Sequence, residues 1–78
     1  MRAKNILRGL GDEVRERRKQ HALSQEALAH HAGVHTNVIG RLERGIYNPT
    51  ILTLAAIAGK LDVSLAELFA SAAKRTAG

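Results

Sequence analysis

Asn37 and Arg41 carry side chains with directional hydrogen-bonding groups, four residues apart in the sequence. A helix would place both on one face, with Thr36 beside them. An asparagine amide can form two hydrogen bonds with adenine, and an arginine guanidinium can form two with O6 and N7 of guanine. The spacing therefore predicts side chains that could distinguish base pairs in a DNA groove.

Two short predicted helices, joined at Gly33, would position these side chains. Ser24 is a good N-cap for the first helix, because its hydroxyl can accept a hydrogen bond from an unpaired backbone N–H. Gly33 adopts a positive φ at little cost, so the chain can turn there and start a second helix over about 36–44. Ile39 and Leu42 would anchor that helix. Its polar outer face would carry Thr36, Asn37, Gly40, Arg41 and Arg44.

The rest of the chain also has helical rather than strand periodicity, which predicts an all-α fold of about five helices. We expect the first helix over about 11–21, a fourth capped by Thr50, and a fifth that begins with a capping box at Ser64. Residues 1–10 are expected to be a basic arm or the start of the first helix. Residues 11–69 would form the helix-turn-helix domain, and residues 70–78 a flexible tail.

Several short motifs occur in an order that resembles a known family. The segments are LSQEALA (23–29), Gly33-Val34, Ile39, LERG (42–45), NPT (48–50) and LDVSLAELF (61–69). Together they resemble lambda-repressor-like helix-turn-helix transcriptional regulators of the xenobiotic response element type. The resemblance implies a five-helix lambda-repressor-like DNA-binding domain, with the third helix in the major groove of double-stranded DNA.

The resemblance also implies roles by position. The residues matched to base contacts are Thr36, Asn37 and Arg41, with His35 at the helix start near the backbone or a flanking base. The residues matched to contacts with the DNA backbone are Ser24, Gln25, Arg44 and Asn48. Arg18 and Glu43 match an ion pair that links the first helix to the end of the third. We favour this structural role for Arg18 over phosphate binding.

Three positions depart from the usual pattern of the family. Ala22 and Asp62 stand where glycine is frequent, at helix ends that can require a positive φ, and Asp tolerates that conformation better than Ala. Gly40 is unusual inside a recognition helix. Two interpretations of Gly40 stay open: neutral drift at an exposed position, or a close approach to DNA.

The composition narrows the classes of partner. The 12 Lys and Arg against 7 Asp and Glu give a formal charge of +5, which favours polyanions. Without cysteine the fold cannot depend on disulfides or thiolate metal sites. The longest apolar stretches fall far short of the roughly 18 residues of a membrane span. We therefore expect a cytoplasmic protein with no membrane association.

Catalytic and metal-binding constellations are not visible in the sequence. His30 and His31 would point about 100° apart on a helix, and Gly33 interrupts the geometry between His31 and His35. No Ser, His and acid set or Gly-rich phosphate loop is present. We expect neither an enzyme nor a bound cofactor or metal, and no site for a small-molecule effector is evident.

The function predicted from these patterns is sequence-specific DNA binding by a transcriptional regulator. A single module makes few base contacts, so we expect a homodimer on paired half-sites. The candidate interface residues are Ile51, Leu52, Leu65 and Phe69, although Leu65 and Phe69 could instead complete the core. The alternative is a protein-interaction or antitoxin-type module of the same fold, in which DNA binding is secondary. The polar third helix favours DNA.

Overall fold

A computed structural model describes residues 3–76 of the chain, and all its regular secondary structure is helical. The predicted all-α fold with five helices is thereby confirmed. The helices are α1 (Ala3–Gln20), α2 (Gln25–Ala32), α3 (Thr36–Glu43), α4 (Ile51–Lys60) and α5 (Leu65–Thr76). Over the described range, α1 packs mainly against α5, whereas α3 packs against both α1 and α2.

The predicted N-caps at Ser24, Thr50 and Ser64 are confirmed. The Ser24 hydroxyl accepts a hydrogen bond from the N–H of Ala27 at 3.0 Å, and the Thr50 hydroxyl accepts one from Thr53 at 3.1 Å. The Ser64 hydroxyl accepts from the Glu67 N–H at 3.0 Å. Each cap satisfies a backbone donor that the helix itself leaves unpaired, which is why these helices begin where they do.

The turns between helices use the left-handed backbone conformation. Gly33 has φ of 70° and Gly45 has φ of 76°, as their types permit without strain. Ala22 and Asp62 also have positive φ, 54° and 56°. The prediction that these two helix ends require a positive φ is thus confirmed, and both residues adopt it without the freedom of glycine.

Ile39 and Leu42, the predicted anchors of α3, are buried as expected. Val14, Leu28, Ile39 and Ile57 are fully buried at the centre of the molecule. The buried core cluster comprises Leu10, Val14, Leu28, Ala29, Ile39, Leu42, Leu54, Ile57, Ala58, Leu61, Leu68 and Ala72. This core holds α3 by one side only, so the opposite side of α3 remains at the surface.

Helix α1 is longer than the sequence pattern predicted. It begins at Ala3 rather than near Gly11, so residues 3–10 form the start of the first helix, the second of the two alternatives for this segment. Gly9 and Gly11 both lie inside the helix, at close contacts with other helices. A Cβ at Gly11 would lie 2.3 Å from the Leu42 carbonyl oxygen at the end of α3. These glycines allow close packing and do not end the helix.

The expected flexible tail is also helical where the structure describes it. Helix α5 continues to Thr76, and Ala72 is fully buried in the core. Small, polar and basic residues suggested fraying, because their individual helix-forming and apolar signals are weak. Packing of Ala72 and ion pairs made by Arg75 outweigh those weak local signals. Residues 77–78 lie outside the described residues.

Candidate nucleic-acid interface

The reading face is the surface side of α3, defined by Thr36, Asn37, Arg41 and Arg44. Asn37, Arg41 and Arg44 are exposed, and Thr36 is half-buried. The opposite side of the helix is fixed by Ile39 and Leu42, which are 0% and 1% exposed. Because the anchoring residues are rigidly buried, the structure brings the predicted base-contacting side chains together on one supported surface.

His35 lies at the N-terminus of α3 and caps the helix. Its Nδ1 atom accepts a hydrogen bond from the backbone N–H of Asn37 at 3.1 Å. His35 is otherwise exposed at the surface. Sequence reasoning assigned His35 to a DNA contact and did not foresee its capping role.

A polar depression lies along the reading face, and we call it the α3 depression. Its volume is about 330 Å³. Its lining residues are Gln25, Thr36, Asn37, Gly40, Arg41 and Arg44. Two guanidinium groups and several amide and hydroxyl groups therefore surround one concave surface, which suits an anionic or hydrogen-bonding ligand more than an apolar one.

Arg18 and Glu43 form a buried ion pair between α1 and the end of α3. Nε and Nη2 of Arg18 donate to the two carboxylate oxygens of Glu43 at 2.7 and 3.0 Å. Nη1 of Arg18 donates to the Leu23 carbonyl oxygen at 2.8 Å. The hydrogen bonds to Glu43 raise the pKa of Arg18 above its ordinary value. Both side chains are engaged within the protein.

Gln25 joins this pair from the start of α2. Its Nε2 atom donates a hydrogen bond to Oε1 of Glu43 at 3.0 Å, and the side chain is half-buried. Glu43 thus accepts hydrogen bonds from α1 and α2 while it belongs to α3. One N–H of the Gln25 amide is used inside the protein, and the backbone N–H of this first residue of α2 is among the donors that a helix leaves without an intrahelical partner.

A second ionic cluster joins α1 to α5, and sequence reasoning missed it. Glu13 is 8% exposed and accepts hydrogen bonds from Arg17 at 2.6 Å and Arg75 at 2.8 Å. Arg75 also pairs with Glu16, and Arg17 donates to the Ser71 hydroxyl. Burial alone would raise the pKa of Glu13, but the two arginines outweigh it and hold that pKa below its ordinary value. The one feature of the sequence that pointed to this cluster was the spacing of Glu13 and Arg17, four residues apart, which allows an ion pair on a helix.

The remaining predicted site residues lie elsewhere on the surface. Asn48 is exposed in the loop that follows α3, and Ser24 is exposed at the start of α2. Ile51 and Leu52, at the start of α4, are 61% and 82% exposed. Leu65 and Phe69 are half-buried, and both pack against the core. The four candidate interface residues therefore differ in how much apolar surface they leave available.

No helix within residues 3–76 combines the length and apolar content needed to cross a membrane. The arrangement instead defines a class of protein. Two short helices joined at Gly33, with the second anchored by its apolar side and polar on its outer side, form a helix-turn-helix domain. The family follows from comparison with known proteins.

The family model described as Helix-turn-helix (HTH_3) matches residues 14–68. The chain belongs to this family of transcriptional regulators, so the resemblance predicted from the motifs is confirmed. It is 41% identical over 59 residues to the control protein C.SmaI of Serratia marcescens, a match that covers 76% of this chain and 70% of that protein. It is 32% identical over 59 residues to the immunity repressor of Bacillus phage phi105, covering 76% of this chain. That match spans 41% of the length of the repressor.

Solved structures show the same architecture. The clp gene regulator ClgR from Corynebacterium glutamicum matches with a TM-score of 0.88 and 26% identity, covering 92% of this chain and 77% of ClgR. The restriction-modification controller protein C.AhdI from Aeromonas hydrophila matches with a TM-score of 0.76 and 35% identity, covering 80% of this chain and 94% of C.AhdI. These relatives are named as regulators, a repressor and control proteins, not as enzymes.

Proposed function

We propose that this chain binds double-stranded DNA sequence-specifically, with α3 in the major groove, and regulates transcription as a homodimer. The observation that carries the proposal is the reading face itself. Asn37 and Arg41 project from a helix whose other side is buried, and both have the chemistry to distinguish bases. The formal charge of +5 adds attraction to the phosphate backbone.

The proposed contacts divide into two kinds. Thr36, Asn37 and Arg41 would contact base edges, and His35 would contact the backbone or a flanking base from the start of α3. The proposed backbone contacts come from Ser24, Gln25, Arg44 and Asn48. Base contacts determine sequence preference, whereas phosphate contacts set orientation and affinity.

Arg41→Ala and Arg44→Ala test this division. Arg41→Ala should weaken binding to the preferred site by about 1 to 3 kcal/mol and relax the preference at one position. Arg44→Ala should weaken binding to all DNA similarly and lower the salt dependence by about one counterion. Fluorescence anisotropy on preferred and scrambled duplexes, at several salt concentrations, measures both effects. Equal losses on both duplexes for Arg41→Ala would contradict its base-reading role.

Two observations support the proposed homodimer: the size of one copy relative to the spacing of half-sites, and exposed apolar side chains. The longest dimension of the described molecule is 32 Å, and α3 has 8 residues. Half-sites that present the same groove lie about 34 Å apart, so one copy covers one half-site and a second copy is needed for the other. Ile51 and Leu52 offer the most exposed apolar surface, and the half-buried Leu65 and Phe69 would extend it.

Selection of bound duplexes from a random DNA pool tests the function directly. The expected result is enrichment of a motif with two related halves. Failure to enrich any motif would favour the alternative, a protein-interaction or antitoxin-type module of the same fold.

Since its proposed ligand is DNA, we place the protein in the cytoplasm. The protein would be regulated by its own concentration, through binding at its own promoter. Operator occupancy should therefore rise as the protein accumulates.

A further inference from the structure

Gly40 is buried within α3, not exposed as the sequence pattern predicted, and glycine inside a helix is less favourable than alanine. The backbone conformation at position 40 does not require glycine. Positive φ occurs at Gly33 and Gly45, whereas Gly40 has the ordinary helical conformation that any residue can adopt. A requirement for glycine at this position must therefore come from packing or from a ligand.

Packing within the protein does not require glycine either. A Cβ added at Gly40 would lie 3.6 Å from Nη1 of Arg44 and 3.7 Å from Oε1 of Gln25, which are ordinary van der Waals distances. The contrast with Gly11 is clear, because a Cβ there would lie 2.3 Å from a backbone oxygen. Alanine would fit at position 40 in the free protein, so the fold does not explain the glycine.

Gly40 lies instead in the α3 depression. The missing side chain at position 40 leaves a gap beside Nη1 of Arg44 and Oε1 of Gln25, and Thr36 lies one helical turn before it. Gln25 borders this gap from α2, and Arg41 adds a second positive charge. The residues that line the depression, all of them within the described range, include two arginines and no acidic residue. This chemistry fits an anionic group.

We propose that Gly40 makes room for a phosphodiester group of the DNA backbone, which enters the α3 depression beside Arg44. The inference rests on the proposed function and adds a determinant of affinity to it. The guanidinium group of Arg44 is a suitable donor to phosphate oxygens. A methyl group at position 40 would occupy the space that the phosphodiester needs while leaving the free protein intact. Gly40 is thus a positioning residue, which allows the groups around it to reach the DNA backbone.

Gly40→Ala and Gly59→Ala form a matched pair for the test. Gly59 is an exposed glycine in α4, and a Cβ there would meet nothing within 4 Å. Both substitutions should raise Tm by several degrees, because both replace a glycine of ordinary helical conformation with alanine. Only Gly40→Ala should weaken binding to the selected duplex, by about tenfold or more, which corresponds to about 1.4 kcal/mol. The salt dependence of DNA binding by Gly40→Ala should correspond to the release of about one counterion fewer.

Methylphosphonate substitution of single phosphates in the selected duplex identifies the group involved. In the unsubstituted protein one neutralised phosphate should reduce affinity, and in Gly40→Ala the same change should cost much less, because that contact is already lost. Equal affinity of Gly40→Ala and Gly59→Ala for DNA would overturn the inference and leave the proposed function standing. A loss in Gly40→Ala with an unchanged methylphosphonate pattern would also overturn it. An unsubstituted protein that enriches no DNA motif would remove the proposed function as well.

Discussion

Ala22 adopts a backbone conformation that glycine adopts more cheaply. Its φ is 54°, and left-handed conformations cost an L-residue with a Cβ roughly 1 to 2 kcal/mol. Ala22→Gly should therefore raise the free energy of unfolding by about 1 kcal/mol, after allowance for the greater freedom of glycine in the unfolded chain. Urea denaturation followed by circular dichroism measures the change.

Ala55→Gly provides the control for Ala22→Gly. Ala55 is exposed within α4, so the substitution introduces glycine at a position with ordinary helical backbone. It should lower the free energy of unfolding by about 0.5 to 1 kcal/mol. Changes of the same sign in the two variants would show that the positive φ of Ala22 carries no strain that glycine relieves.

Glu13 should make the stability of the protein depend on pH in the acidic range. Its pKa in the folded state lies below the ordinary value of 4.5, because its hydrogen bonds with Arg75 and Arg17 outweigh the effect of burial. A lowered pKa stabilises the fold fully above the ordinary pKa, and that stabilisation is lost as the pH falls through the folded-state value. Glu13→Gln should therefore lose stability at neutral pH and show a shallower decline below pH 4.5.

Denaturation at a series of pH values compares Glu13→Gln with Asp12→Asn. Asp12 is the exposed neighbour of Glu13 on α1, so its substitution removes one carboxylate without touching the cluster with Arg75. The curve of Asp12→Asn should stay close to that of the unsubstituted protein. If the stability of Glu13→Gln fell as steeply at acidic pH as that of the unsubstituted protein, Glu13 would not be the source of the pH dependence.

At the scale of helices, Glu43 connects three elements. It belongs to α3 and accepts hydrogen bonds from Arg18 of α1 and Gln25 of α2. These hydrogen bonds tie the end of α3 to α1 and to the start of α2. Glu43→Ala should lower the free energy of unfolding by about 3 to 5 kcal/mol, because Arg18 would then be a buried charge without a partner. Urea denaturation measures this loss.

A variant that lacks both charges distinguishes the effect of an unpaired Arg18 charge from the effect of lost side-chain packing. The double variant Arg18→Met with Glu43→Leu leaves no buried charge, so it should recover a large part of the stability lost in Glu43→Ala. Glu26→Ala, on the exposed side of α2, should cost less than about 1 kcal/mol. A double variant no more stable than Glu43→Ala would show that the loss comes from packing rather than from an unpaired charge.

At the scale of the whole molecule, the exposed start of α4 predicts self-association. Leu52 is 82% exposed, which is more than either Ile51 or Ile46. Leu52→Glu should shift the protein toward monomer in sedimentation experiments, because it places like charges across a two-fold interface. The fold should be unchanged. Affinity for a duplex with two half-sites should fall more than affinity for one half-site.

Ile46→Glu serves as the comparison for the dimer. Ile46 is 59% exposed in the loop after α3, away from the start of α4 in the sequence. Its substitution should leave the sedimentation coefficient unchanged at the same protein concentration. Only monomer at micromolar concentration in the unsubstituted protein, with and without operator DNA, would contradict the dimer.

The sequence by itself determined the features that depend on neighbouring residues. The caps at Ser24 and Thr50, the turn at Gly33 and the inward positions of α3 were all predictable. Each is encoded within about one or two helical turns, where side-chain spacing and a single hydroxyl or glycine decide the outcome. The polar outer face of α3, and with it the prediction of DNA binding, belongs to this group.

Only the tertiary structure decided the features that join distant residues. Glu13 and Arg75 are 62 positions apart, and Arg18 and Glu43 are 25 apart. The motif resemblance pointed to the second pair, but no local pattern pointed to the first. The glycine at position 11 and the weak helical signals after residue 69 suggested helix ends, whereas packing of α1 against α3 and α5 extended both helices. Burial and ion pairing between helices stabilise conformations that local propensity alone does not determine.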